Sequence, residues 1–187
     1  ANSSCDFVCG CNYLVHRIAI PQAAEVNLGK VFAENNLYLA IAESLTAGQV
    51  TADFASTPGA SNYLLGGIVC YQNAIKIHQL GVDAELIAGH GPVDPVVAVQ
   101  LAQGVRSRFA RDCAIPAEQV VGLSTTGVAG PDAVGDKPVG LVYLGISSAR
   151  GDRAIELQLA GSRSEIRLAT VASAKAAIAD EIHLLLG

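Results

Sequence analysis

Leu37-Tyr38-Leu39-Ala40-Ile41-Ala42-Glu43-Ser44-Leu45-Thr46-Ala47-Gly48 sets the architecture. The apolar run Leu37 to Ala42 follows Asn35-Asn36 and ends abruptly at Glu43-Ser44. It is too short for a core helix and lacks the alternation of a half-solvated strand. It therefore reads as a strand buried on both faces. The polar turn that follows opens a helix running to about Ala55. A buried strand passing through a turn into a helix is the building unit of an α/β domain.

The same alternation continues outward. Before the strand, Ala24, Leu28, Val31 and Phe32 share one face of a helix. After Thr57-Pro58-Gly59-Ala60-Ser61, a turn cluster, Gly66 to Tyr71 reads as a second strand, then Asn73 to Leu80 and Ala84 to Ala88 as short helices. Pro95 suits the first turn of a longer helix carrying Val97, Leu101, Val105 and Phe109 on one side. Val120 to Ser124, Val139 to Ser147 and Ala154 to Leu159 read as further strands, the last two joined as a hairpin at Gly151-Asp152. A final helix begins after Ser162. The expected fold is a three-layer α/β/α sandwich around one mostly parallel, mixed sheet, with helices on both faces. The domain spans 23–187, and residues 1–22 read as a poorly ordered tail.

Composition narrows the function classes. Of 187 residues, 51% are hydrophobic and 16% charged, enough to fill a core and too apolar for intrinsic disorder. Twelve basic against 17 acidic residues give a net charge of −5, so the basic footprint of a nucleic-acid binder is absent. The apolar runs fall short of a membrane span, and the start of the chain lacks the basic leader of a signal peptide. Cys70 and Cys113 sit in apolar stretches and read as buried thiols. Cys5, Cys9 and Cys11, with His16, match no common zinc spacing and read as incidental thiols. A reducing, cytoplasmic setting is expected.

Several strand-end loops carry reactive or anion-binding residues, where open α/β sheets bind ligands. Ser44 and Thr46 lie beside the helix-start N–H groups, which can hold an oxyanion or phosphate; equally, one of the two can simply cap the helix. Lys76, in Tyr71-Gln72-Asn73-Ala74-Ile75-Lys76, becomes a general base if desolvated, or is a surface lysine. In Thr126-Gly127-Val128-Ala129-Gly130-Pro131-Asp132 the glycines allow close approach of a ligand to the backbone. Arg163, in Gly161-Ser162-Arg163, suits clamping a phosphate or carboxylate, or is solvated. His16, His78, His90 and His183 show no metal-ligand spacing, so a nucleophile here needs lysine as its base.

These motifs, with Pro58-Gly59-Ala60-Ser61 and Lys137-Pro138-Val139-Gly140, stand in one order, and together they resemble the CinA C-terminal domain family, the nicotinamide-nucleotide amidohydrolases. The likeness covers about residues 24 to 186. It implies hydrolysis of the carboxamide of nicotinamide mononucleotide (NMN) to nicotinate mononucleotide and ammonia, with no metal or other cofactor. It further implies Ser44 as nucleophile, Lys76 as its base and Tyr71 as a hydrogen-bond donor in catalysis. Thr46, Gly48, Asn73, Thr126, Gly127, Gly130 and Arg163 fall at substrate-binding positions. The expected partner is a small nucleotide, with neither nucleic acid nor membrane, and the chain is expected to form a homo-oligomer.

The sequence departs from the family pattern. Its usual Glu-Ser-Cys-Thr-Gly-Gly carries Leu45 and Ala47 here, its Tyr-Ser-Asn-Glu-Ala-Lys carries Gln72, Ala74 and Ile75, and its Pro-Asp-Gly-Gly ends in Ala133-Val134. Ala47 puts a methyl beside the helix start, and Ala133 and Val134 stiffen a loop that glycine leaves free. Two alternatives stay open: a non-catalytic nucleotide-binding or interaction module of the same fold, and an amidase for another small amide.

Overall fold

A computed structural model describes residues 28–187, together with the backbone of Cys5–Phe7 and Leu14–Arg17. In chain order the elements are β1 (Cys5–Phe7), β2 (Leu14–Arg17), α1 (Leu28–Glu34), β3 (Tyr38–Glu43), α2 (Gln49–Ala55), β4 (Leu64–Val69) and α3 (Asn73–Leu80). They continue with α4 (Ala84–His90), α5 (Pro95–Asp112), β5 (Val120–Gly127), β6 (Leu141–Ser148), β7 (Gly151–Gln158) and α6 (Arg163–Leu186). One sheet runs in the order β1-β2-β7-β6-β5-β3-β4. β3 is parallel to both β4 and β5, while β6 lies antiparallel between β5 and β7. β1 and β6 run against the other strands, so the mixed, mostly parallel sheet expected from the sequence is present.

Alternation along β3 builds both layers. Leu39 and Ile41 pack with Phe32 of α1, Val50 and Phe54 of α2 and Ile166 and Ile178 of α6. Ala40 and Ala42 face the other way, onto Val97, Leu101 and Val105 of α5. Small residues on that second face let α5 lie close: a Cβ on Gly145 would stand 2.1 Å from the Ala98 carbonyl oxygen. β6 is buried along its whole length, as befits a strand covered on both sides.

Within 1–22, where a poorly ordered tail was expected, the backbone of Cys5–Phe7 and Leu14–Arg17 forms an antiparallel pair. Through β2 it extends the sheet parallel to β7. Cys9 and Cys11 lie outside the described residues. Cys70 is buried as expected, whereas Cys113 is exposed. Cys113 caps the C-terminus of α5 and precedes Ala114 at φ 54, so the chain turns outward there instead of entering a strand.

Chain order places the site. β3 leads to β4 on one side, and β5 returns on the other side of β3. Connections from β3 and β5 therefore diverge at their C-terminal ends. In an open α/β sheet that divergence makes the ligand crevice.

Candidate active site

The loop after β3 is held from below by the last residue of that strand. Glu43 is fully buried, and its carboxylate accepts from the N–H groups of Gly48 (2.9 Å), Val50 (3.0 Å) and Thr51 (2.8 Å) and from the Thr51 hydroxyl (2.6 Å). The N-cap of α2 is Gly48, without a side-chain bond of its own. Neither Ser44 nor Thr46 caps this helix, and its first N–H groups are not open to a substrate. This corrects both sequence readings of that helix start: Glu43 already supplies the anion there.

Ser44 follows directly. Its N–H donates to the Thr125 carbonyl at 3.1 Å, while its hydroxyl carries no hydrogen bond among the described residues. Neighbouring hydroxyls are engaged. Thr46 is fully buried and shares a 2.8 Å bond with the Thr125 hydroxyl, and the Thr126 hydroxyl donates to the Pro92 carbonyl at 2.7 Å. Thr46 and Thr126, expected at substrate positions, thus hold the loops together. Leu45 packs into the core beside Val50 and Phe54, so its departure from the family pattern is absorbed there and does not line the site.

Lys76 sits in α3 with only 1% of its surface exposed. Its Nζ donates to the carbonyls of Cys70 at 2.7 Å and Tyr71 at 2.9 Å, and no carboxylate pairs with it among the described residues. Burial lowers the pKa of this amine from the ordinary lysine value, outweighing the opposing pull of Cys70. The surface-lysine reading is excluded. Cys70 also donates its N–H to the Glu43 carbonyl at 2.8 Å, so one residue links the Lys76 amine to the strand end bearing Ser44. Burial pushes the Cys70 thiol up to about 11, leaving it protonated and weakly nucleophilic at neutral pH.

Three expected residues meet at the rim. Arg163, the first residue of α6, donates to the Tyr71 hydroxyl at 2.9 Å and to the Gly130 carbonyl at 2.7 Å. Gly130 adopts φ +84, and a Cβ there would stand 2.9 Å from Val139. Gly127 is required for a different reason from the one expected. A Cβ would meet the Leu141 carbonyl oxygen at 2.8 Å, so its close neighbour is β6 and not a ligand. Asn73 is exposed at the start of α3. Ala133 and Val134 do not take positive φ; Gly135 does, at the tip of a tight turn closed by Val134 and Lys137.

Known proteins share this sequence pattern and this fold. The CinA C-terminal domain matches residues 21–182. The chain belongs to this family. A Desulforudis audaxviator protein named as competence-damage inducible is 40% identical over 153 residues, covering 81% of this chain and 35% of the relative. A CinA-like protein of Gemmatimonas aurantiaca is 40% identical over 136 residues, covering 72% of this chain and 30% of its own length. The chain thus spans about a third of these curated CinA relatives. Among solved structures, the competence/damage-inducible protein CihA from Agrobacterium tumefaciens superposes with a TM-score of 0.72 at 28% identity, covering 87% of this chain and 99% of that one. The competence damage-inducible protein A from Klebsiella pneumoniae reaches 0.75 at 20% identity over 84% and 93%, a likeness of CinA fold.

The sequence reading missed two residues of this candidate site. Glu43 was legible only as the first letter of a motif. Arg167, one helical turn beyond Arg163, donates Nε to the Leu45 carbonyl at 2.9 Å and Nη2 to the Thr46 carbonyl at 3.0 Å. The i, i+4 spacing of the two arginines was its only signal. Among the described residues no helix is long and apolar enough to cross a membrane, and no His/Cys/Asp/Glu group could hold a metal ion.

Proposed function

We propose that the chain hydrolyses the carboxamide of NMN, giving nicotinate mononucleotide and ammonia in the cytoplasm. The observation that carries this reading is the Lys76 amine. It is buried, unpaired with any described carboxylate, and placed at the strand end where the Ser44 hydroxyl is unengaged. A neutral amine has two N–H bonds for the carbonyls of Cys70 and Tyr71, and one lone pair left to take a proton.

In this scheme the Ser44 Oγ attacks the amide carbon as its proton passes to Lys76 Nζ, and the carbonyl π electrons move to oxygen. Collapse of the tetrahedral intermediate breaks the C–N bond, and ammonia leaves with the proton from Lys76. Water then attacks the acyl-Ser44 ester, giving one proton to Lys76, which returns it to Ser44 as the acid departs. Arg163, exposed at the rim, supplies a local positive charge for the substrate phosphate in a chain whose net charge is −5. No metal or other cofactor enters the scheme.

An unengaged hydroxyl and a desolvated amine at neighbouring strand ends favour an enzyme over a binding module. The test is ammonia release from NMN by the wild-type chain and by Ser44→Ala. The reading expects turnover by the first and none by the second. NMN binding without turnover in the wild type contradicts it.

A further inference from the structure

A cavity of about 470 Å³ lies between the end of α3 and the outer side of α5. That is the size of a small-molecule site, and none of its lining residues belongs to the loops bearing Ser44, Tyr71 or Gly130. Its floor is rigid, because a Cβ on Gly104 of α5 would stand 2.0 Å from the Leu80 carbonyl oxygen of α3. Gln79 forms one wall. Gln100, Gln103, Ser107 and Arg111 recur every three or four residues along α5 and form the other, with Arg108 beside them.

The glutamines are each anchored at one end, and the partner fixes which end. Arg108 Nη1 donates to the Gln79 side-chain carbonyl at 2.8 Å and to its backbone carbonyl at 3.1 Å. The Asp83 N–H donates to the Gln100 side-chain carbonyl at 2.9 Å. Gln103 instead donates its amide to the Asp152 carboxylate at 2.7 Å. Guanidinium and backbone N–H groups only donate and ionised carboxylates only accept, so none of these amides can be turned round. Left unengaged among the described residues are the NH2 groups of Gln79 and Gln100, the Ser107 hydroxyl, Arg108 Nη2 and Arg111 Nη1. Besides that hydroxyl, the one unengaged side-chain acceptor of the lining is the Gln103 carbonyl oxygen. Asp112 pairs with Arg108 and Arg111 but does not line the cavity, and it offsets one of the two guanidinium charges.

A donor-rich wall with a net positive charge and one acceptor suits an anion that carries hydroxyls. We propose that this cavity binds a small sugar phosphate. Its phosphate is held by the two guanidiniums and the glutamine NH2 groups, and a sugar hydroxyl donates to Gln103. The existing hydrogen bonds order Gln79, Gln100, Gln103 and Arg108 before the ligand arrives, which removes part of the entropic cost of binding. The site does not depend on the reading of Ser44 and Lys76.

The test is an NMR titration of the isotope-labelled chain with ribose 5-phosphate and, separately, inorganic phosphate, following the side-chain NH2 signals of Gln79 and Gln100. In the wild type both signals should shift saturably, with the sugar phosphate about fivefold tighter, because only it offers a hydroxyl to Gln103. Gln100→Glu keeps an acceptor for the Asp83 N–H but puts a negative charge where a donor stood. Arg111→Gln removes an exposed guanidinium whose only described partner is Asp112. Each should weaken the binding read at Gln79 about tenfold at wild-type Tm, while Arg163→Ala leaves it within about twofold. No shift of these signals at ~10 mM ribose 5-phosphate, or wild-type affinity in both folded variants, overturns the proposal. Equal affinity for inorganic phosphate also overturns it, by marking an unselective anion patch. Loss of binding in Arg163→Ala does so too, by assigning the ligand to the loops around Tyr71.

Discussion

The Lys76 amine donates to the Cys70 carbonyl at 2.7 Å, and the N–H of the same Cys70 donates to the carbonyl of Glu43, the residue before Ser44. The proposed base and nucleophile are thereby tied to one short stretch of hydrogen-bonded backbone where β3 and β4 end. A lysine so placed cannot relax into solvent, and its desolvation favours the neutral amine. The same strand end is closed by Glu43 beneath the loop and by Arg163 and Arg167 from α6. Three loops separated widely in sequence thus meet at the first turns of one helix.

Glu43→Gln should destabilise the domain by about 3 kcal/mol, since it replaces a charged acceptor of buried N–H groups by an amide that must turn one donor toward another. The loop bearing Ser44 would lose its shape together with α2, so kcat should fall as well. Urea denaturation and NMN turnover on the same preparation check both effects.

Ala47 occupies the left-handed region at φ 51, with its side chain exposed. An L-residue there costs roughly 1–2 kcal/mol, and glycine's larger unfolded-state freedom takes back about half of that. Ala47→Gly should therefore stabilise the chain by about 0.5–1 kcal/mol in urea titrations, without loss of activity.

Arg163→Ala removes a charge and frees the Tyr71 hydroxyl and the Gly130 carbonyl. KM for NMN should rise about tenfold with kcat little changed, and the rise should be much smaller for the riboside lacking phosphate. Steady-state kinetics on the two substrates checks this. An equal rise for both would assign Arg163 to loop structure instead of phosphate binding.

Much of the architecture was legible because it depends on local signals. The unbroken apolar run Leu37 to Ala42, the Pro at the start of α5 and Ser162 before α6 each act within a few residues. The order of the site motifs was equally legible. What escaped depends on tertiary geometry. Glu43 reaches its N–H partners only because the turn folds back beneath itself. Thr46 and Thr126 look like pocket hydroxyls until Thr125 and Pro92 are brought beside them. Gly127 signals a ligand by composition, yet its neighbour is β6. Arg167 resembles any helix-surface arginine until α6 docks against the loop.

The most direct test of the account is the pH dependence of kcat for NMN hydrolysis in the wild type and in Lys76→Met. An ordinary lysine titrates near ~10.4, and burial lowers Lys76, so the neutral base gains population as pH rises from below. The account predicts that wild-type kcat rises about tenfold per pH unit and levels off below ~10.4, and that Lys76→Met loses both this limb and nearly all of the rate. A wild-type profile that is flat between about pH 6 and 9, or a folded Lys76→Met that keeps its rate and the rising limb, would contradict it.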